Sequence, residues 1–139
     1  MSQSPHLFVY GTLRRGFNHP LAQHLARQAH FVGLGCVPGR LYDLGDYPGL
    51  VLPGQPTDRV LGDVYALDRP GQLLSLLDEY EEYNPLEPFH SLYLREAVTI
   101  TLLAGGSRQG WLYRFNRPVK PFKYIPSGDY LSYLSLKTL

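Results

Sequence analysis

Apolar residues run without a break from Leu7 to Tyr10, which predicts a strand buried on both faces. Gly11 ends the run, and Thr12, Leu13, Arg14, Arg15 and Gly16 follow as a loop. Asn18-His19-Pro20 reads as a helix start, with a capping side chain and proline in the first turn. Apolar residues at 21, 22, 25, 26 and 29 then have the spacing of an amphipathic helix over Leu21 to Ala29.

Phe31 to Asp43 is apolar but broken by Gly33, Gly35 and Gly39. Glycines inside a strand predict bulges and close backbone approach, as in a small curved barrel. Asp43 to Pro48 reads as a turn, Gly49 to Leu52 as a short strand and Pro53 to Arg59 as a polar loop. Val60 to Leu67 alternates as a strand should. Asp68 is the expected cap of a second helix running through Gln72 to Glu81. Asn84 to His90 is a proline-containing excursion. Strands are expected over Tyr93 to Leu103 and Gln109 to Phe115, with Gly105-Gly106 as the hairpin between them. Arg117 to Ile125 reads as irregular, and Ser127-Gly128-Asp129 as the start of a last helical turn through Tyr130 to Leu136. Five to seven strands with two or three helices between them make an α+β domain, its sheet curled or closed into a barrel.

Within the second helix, Leu73, Leu74, Leu77 and Tyr80 form the apolar stripe at about 100° per residue. Glu81 falls between the directions of Leu74 and Leu77, so a carboxylate is aimed at the core from the last turn. Glu79 points to solvent, Glu82 lies off the stripe and Asp78 flanks the face of Glu81. Desolvation, the negative end of the helix and Asp78 would each raise the Glu81 pKa, toward the value a general base needs near neutral pH. The opposing reading has the helix fraying at Tyr80 and Glu81 on the surface. At the first strand's end, unpaired N–H groups can bind an anion or a carbonyl oxygen, or Gly11 can simply permit a tight turn.

Composition narrows the classes. The 139 residues suffice for one domain, taken as 1–139, and 44% hydrophobic with 18% charged residues is ordinary for a globular protein. A net charge of +1 without a basic tract argues against nucleic acid as a partner. Most of the 11 tyrosines are expected in the core with their hydroxyls bonded. The one cysteine, Cys36, rules out an internal disulfide and a cysteine-based metal site, and reads as a small buried hydrophobe. His19, His24 and His30 lack metal-ligand spacing and read as surface or capping residues. The N-terminus has neither a basic nor an apolar region of a signal peptide, and no window approaches about 18 apolar residues. A cytoplasmic protein with no membrane contact is expected.

The string Val9-Tyr10-Gly11-Thr12-Leu13-Arg14-Arg15-Gly16, followed by Asn18-His19, resembles the γ-glutamylcyclotransferase-like superfamily. The likeness is nearest to its bacterial members and to γ-glutamylamine cyclotransferase. It extends through Gly62-Asp63-Val64-Tyr65-Ala66-Leu67, Leu77-Asp78 followed by Glu81, Tyr93-x-Arg95, Trp111-x-Tyr113 and Ile125-Pro126-Ser127-Gly128-Asp129-Tyr130. Each piece is weakly specific; their order and spacing together are not.

The resemblance implies a small mixed β-barrel with flanking helices and an intramolecular acyl transfer. The α-amine of a γ-glutamyl group attacks its own side-chain carbonyl and releases 5-oxoproline with an amine or amino acid. Glu81 is implied as the general acid/base. Tyr10, Gly11, Thr12 and Leu13 are implied to hold the glutamyl group through backbone N–H groups. The implied partner is a small γ-glutamyl substrate, with no metal, nucleophilic cysteine or cofactor; oligomeric state is open. Relatives usually carry glycine after the catalytic glutamate, where this chain has Glu82. Tyr113 is a second candidate hydroxyl donor, although a core tyrosine explains it as well. Arg14, Arg15 and Arg95 are candidates for meeting the substrate's α-carboxylate, although surface arginines are common. The rival class is a non-catalytic module binding a small carboxylate or amine in the same pocket. A buried glutamate favours the enzyme, because a binder gains nothing from desolvating an extra negative charge. Transfer of the γ-glutamyl group to another amine is a weaker alternative, for which no covalent nucleophile is present.

Overall fold

A computed structural model describes residues 5–52 and 57–137. In chain order the elements are β1 (His6–Val9), α1 (Pro20–Gln28), β2 (Ala29–Val37), β3 (Arg40–Asp43), β4 (Pro48–Val51) and β5 (Val60–Leu67). These are followed by α2 (Pro70–Tyr80), a 3-10 turn (Pro88–His90), β6 (Tyr93–Leu102), β7 (Ser107–Phe115), β8 (Lys123–Ile125) and α3 (Tyr130–Lys137).

Five strands close into a barrel in the order β1-β5-β2-β6-β7. The ladder is antiparallel except where β1 meets β7 in parallel, His6 beside Gly110 and Leu7 beside Trp111. A second sheet, ordered β4-β3-β8, packs beside it. The expected α+β barrel with flanking helices is the observed architecture. Closure depends on the glycines. A side chain at Gly35 would meet Val64 and Ile100 at 2.7 and 2.9 Å, and one at Gly62 would strike the Val9 carbonyl and the Phe8 ring. The bulge in β2 falls between Phe31 and Gly33, where Gly33 has φ +151°.

The two faces of β1 enter different cores. Leu7 and Val9 pack with Leu25 of α1 and with Leu73, Leu74 and Leu77 of α2. Phe8 and Tyr10 pack with Leu41, Leu50, Ile125 and Tyr130 of the second sheet and α3. Burying each of these three leucines of α2 is worth about 1.5–3 kcal/mol, which fixes the helix whose C-cap is Glu81.

Several local expectations are corrected. Phe31 to Asp43 supplies two strands in different sheets, because the chain turns between Val37 and Arg40. β5 does not alternate: six of its eight residues are buried, because packing covers both of its faces. Asp68 does not cap α2; Arg69 holds the cap position without a side-chain bond, and the Asp68 carboxylate lies 3.4 Å from His30. Tyr80 leaves the apolar stripe and is 40% exposed. Arg117 to Ile125 is not wholly irregular, since Lys123–Ile125 pairs with β3 as β8. Residues 53–56 of the expected polar loop lie outside the described residues. His19 does cap α1, its Nδ1 accepting from the Leu21 N–H at 3.1 Å. Cys36 is buried, with Arg59 Nη1 donating to its sulfur at 3.6 Å.

Candidate active site

β1 is buried from Leu7 to Val9 and leads into a turn closed by the Arg14 N–H donating to the Gly11 carbonyl at 3.1 Å. Gly11 is needed there for close approach. A Cβ at this position would lie 2.6 Å from Cγ and 2.8 Å from Cδ of Pro48, so its absence lets β4 pack directly on the turn. Among the described residues, the N–H groups of Thr12 and Leu13 donate to no other group. They are free to serve a ligand.

Asp63 fixes this turn from behind. Its carboxylate, 3% exposed, accepts from the Arg15 N–H at 2.6 Å and lies 3.7 Å from Arg14 Nε. Arg14 is itself buried and reaches Asp129 at the start of α3, at 2.8 Å. Burial raises the Asp63 pKa, and the hydrogen bond from Arg15 and the two arginine charges oppose that rise. In the sequence Asp63 stood out only within the Gly62-Asp63-Val64-Tyr65 string that carries the family resemblance, which gave it no role of its own.

Opposite the turn stands the end of α2. Glu81 is the C-terminal cap, with the Glu82 N–H donating to the Glu79 carbonyl at 3.2 Å and the Tyr83 N–H to the Asp78 carbonyl at 2.8 Å. This crossed pair of bonds is the Schellman arrangement, which places the residue after the cap in the left-handed region. Glu82 occupies it with φ +55°. Helix termination and partial burial of Glu81 therefore coexist, where the sequence posed burial and fraying as alternatives. Burial pushes the Glu81 carboxyl up to about 8.

Asp78 does not contribute to that shift. Its carboxylate accepts from the Tyr113 hydroxyl at 2.6 Å and pairs with Arg95 at 3.5 Å, so its charge is spent locally. Tyr113 is both a core tyrosine and a pocket residue. Tyr10 donates to the Tyr113 carbonyl at 2.6 Å and Tyr93 to the Pro48 carbonyl at 2.8 Å. Burial is the largest cause raising all three phenols above their usual pKa, so they stay neutral. At the rim, the Tyr80 hydroxyl lies 3.2 Å from both Thr12 Oγ1 and His19 Nε2.

Tyr10, Gly11, Thr12, Leu13 and Glu81 line one cavity of about 160 Å³. Tyr47, Pro48 and Tyr93 line it too, and sequence reasoning gave them no part in it; Pro48 read only as turn punctuation. The arginines are not brought in. Arg14 is held by Asp129 and Asp63, Arg15 lies 4.1 Å over the Phe31 ring, and Arg95 lies 4.9 Å over Trp111. Among the described residues, no group of three His, Cys, Asp or Glu side chains is placed to hold a metal, and no helix is long and apolar enough to cross a membrane.

A small mixed barrel with a compact pocket, walled by a backbone turn and a partly buried carboxylate, defines the class of protein. The chain belongs to the gamma-glutamyl cyclotransferase, AIG2-like family, which it matches over residues 7–132. It is 36% identical over 118 residues to gamma-L-glutamyl-butirosin B gamma-glutamyl cyclotransferase of Niallia circulans, covering 81% of this chain and 68% of that one. It is 33% identical over 126 residues to the gamma-glutamylcyclotransferase family protein YtfP of Escherichia coli K12, covering 90% of this chain and 95% of that one. The crystal structure of an AIG2-like protein from Mus musculus superposes with a TM-score of 0.71 at 27% identity, over 93% of this chain and 89% of the other.

Proposed function

We propose that this chain is a γ-glutamyl cyclotransferase that converts a γ-glutamyl amine or amino acid into 5-oxoproline and the free amine, with Glu81 as general acid/base. The observation that carries the reading is the meeting, in one cavity, of a carboxyl raised to about 8 and a turn with free N–H groups.

The cavity volume suits the reacting part of such a substrate. A space of about 150 Å³ holds a single small ring, so about 160 Å³ accepts the glutamyl group and its five-membered product while the leaving amine projects outward. The α-ammonium of the substrate stands beside a free α-carboxylate, which holds its pKa above the value of about 8 usual for a peptide α-amine. Glu81, at about 8, lies much closer to it than an ordinary glutamate would, which lowers the cost of the proton transfer.

In the proposed reaction the Glu81 carboxylate takes a proton from the α-ammonium. The freed nitrogen attacks the γ-carbonyl carbon, forming the ring C–N bond and an oxyanion. The Thr12 and Leu13 N–H groups are the available donors to that oxygen. Glu81 returns its proton to the leaving nitrogen as the original amide C–N bond breaks. The carboxylate then takes the second proton from the ring nitrogen, leaving the neutral lactam, and passes it to the departing amine. Nucleophile and electrophile belong to one molecule, so holding a near-attack conformer supplies much of the acceleration. The name of the Niallia circulans relative, which describes a γ-glutamyl conjugate as its substrate, supports the reaction class.

The test is 5-oxoproline release from a panel holding γ-glutamyl-lysine, γ-glutamyl-alanine and glutathione, with Glu81→Gln beside the wild type. Turnover by the wild type that the variant loses supports the assignment. Turnover that survives in Glu81→Gln removes Glu81 from the role. A folded wild type silent across the panel returns the pocket to small-molecule binding.

A further inference from the structure

We propose that the amine released from this site carries a second positive charge, and that Glu82 at the pocket rim selects it. The inference rests on the γ-glutamyl reading above and specifies its leaving group.

The acidic side chains lining the cavity are Glu81 and Glu82; no Arg, Lys or His contributes to the wall. The glutamyl group brings its own α-carboxylate, so a leaving group with another would add negative charge beside that carboxylate and Glu82, without a side-chain cation to meet it. A leaving group with a distal ammonium meets the opposite situation. The arginines that come nearest in sequence are committed elsewhere, Arg14 to Asp129 and Arg95 to Asp78.

Glu82 is placed to make the contact. Its backbone is fixed on both sides, its N–H donating to the Glu79 carbonyl and its carbonyl accepting from the Leu92 N–H at 3.1 Å. Its side chain is exposed, lines the cavity, and has no hydrogen-bond or ion-pair partner among the described residues. Half-exposed Tyr80 and Tyr47 also line the cavity, and their ring faces attract a cation. Glu82 directly follows Glu81, so an ammonium a few methylenes beyond the scissile nitrogen reaches its carboxylate. A short diamine, joined through one nitrogen to the γ-carboxyl, has this shape.

The test uses γ-glutamyl conjugates of butane-1,4-diamine, butylamine and 4-aminobutanoate, which share a chain length and differ in terminal charge. The expected order of kcat/KM is diamine, butylamine, aminobutanoate. Each step is about five-fold, the scale of one exposed ion pair, and it shrinks as salt is raised. Glu82→Gln should compress the order to within about two-fold and Glu82→Lys should reverse it. An order that persists in Glu82→Gln, or that favours the aminobutanoate conjugate in the wild type, overturns the proposal. Calorimetric binding of the same three compounds with hydrogen in place of the α-amine separates this inference from the reaction. Those analogues cannot cyclise, so a Glu82-dependent binding order without turnover of the parent compounds sustains the selection and defeats the cyclisation. No binding order, with turnover intact, defeats the selection alone.

Discussion

Asp63 Oδ2 and the backbone N–H of Arg15 are 2.6 Å apart, and this bond anchors the first turn of the chain to β5. Replacing Asp63 by alanine leaves that N–H unpaired and removes one of the two carboxylates facing buried Arg14. The expected cost is about 3 kcal/mol in urea unfolding. Asp63→Asn, which keeps an acceptor for Arg15, should recover about 1 kcal/mol of it and a lower KM than Asp63→Ala.

Activity should rise with pH through an apparent pKa near 8, because the base form of Glu81 appears there. A profile of kcat/KM against pH that lacks this limb in the wild type would contradict the assignment.

Stability should run the other way. The Glu81 carboxyl is raised from 4.5 to about 8 on folding, so between these values the native state holds a proton that the unfolded chain has lost. Its contribution is complete below the unfolded value and is lost as pH rises through the folded one. Glu81→Gln, neutral throughout, should flatten the fall in urea midpoint between pH 5 and pH 8 and gain about 1–3 kcal/mol at the upper end.

Glu82→Gly should raise stability by about 1 kcal/mol, because glycine occupies the left-handed region without the penalty of a Cβ. Thermal unfolding measures this directly, and no gain would mean that the exposed carboxylate or its stem stabilises the turn.

Gly11→Ala sets a Cβ 2.6 Å from a proline ring that lacks a flexible end to move aside. A loss of about 1–3 kcal/mol is expected, together with a raised KM as the turn is displaced from β4. Unchanged kinetics would show that the turn tolerates the shift.

Much of the site was legible in the chain. The run Leu7 to Tyr10 and the break at Gly11 located the turn, because a continuous apolar run needs a buried strand and glycine ends it. The leucine stripe of α2 located Glu81, because helical periodicity is a local property. Asp68 and Tyr80 went astray for opposite reasons. Asp68 lies one residue before the actual cap, a boundary that propensity leaves loose. Tyr80 is drawn out of the stripe by hydroxyl contacts to Thr12 and His19, residues more than 60 positions away.

By itself, then, the sequence determined most of the strands and helices, β8 and the division of β2 from β3 excepted, together with the glycine-dependent curvature and the identity of the candidate carboxylate, since these follow from spacing and side-chain size. Only tertiary structure decided that Pro48 backs Gly11, that Asp63 holds the Arg15 N–H and that Asp78 is engaged by the Tyr113 hydroxyl and Arg95. It also decided the charge state of Glu81. A carboxyl pKa depends on how much water the surrounding elements remove, and those elements come from β1, β6, β7 and α2, far apart along the chain.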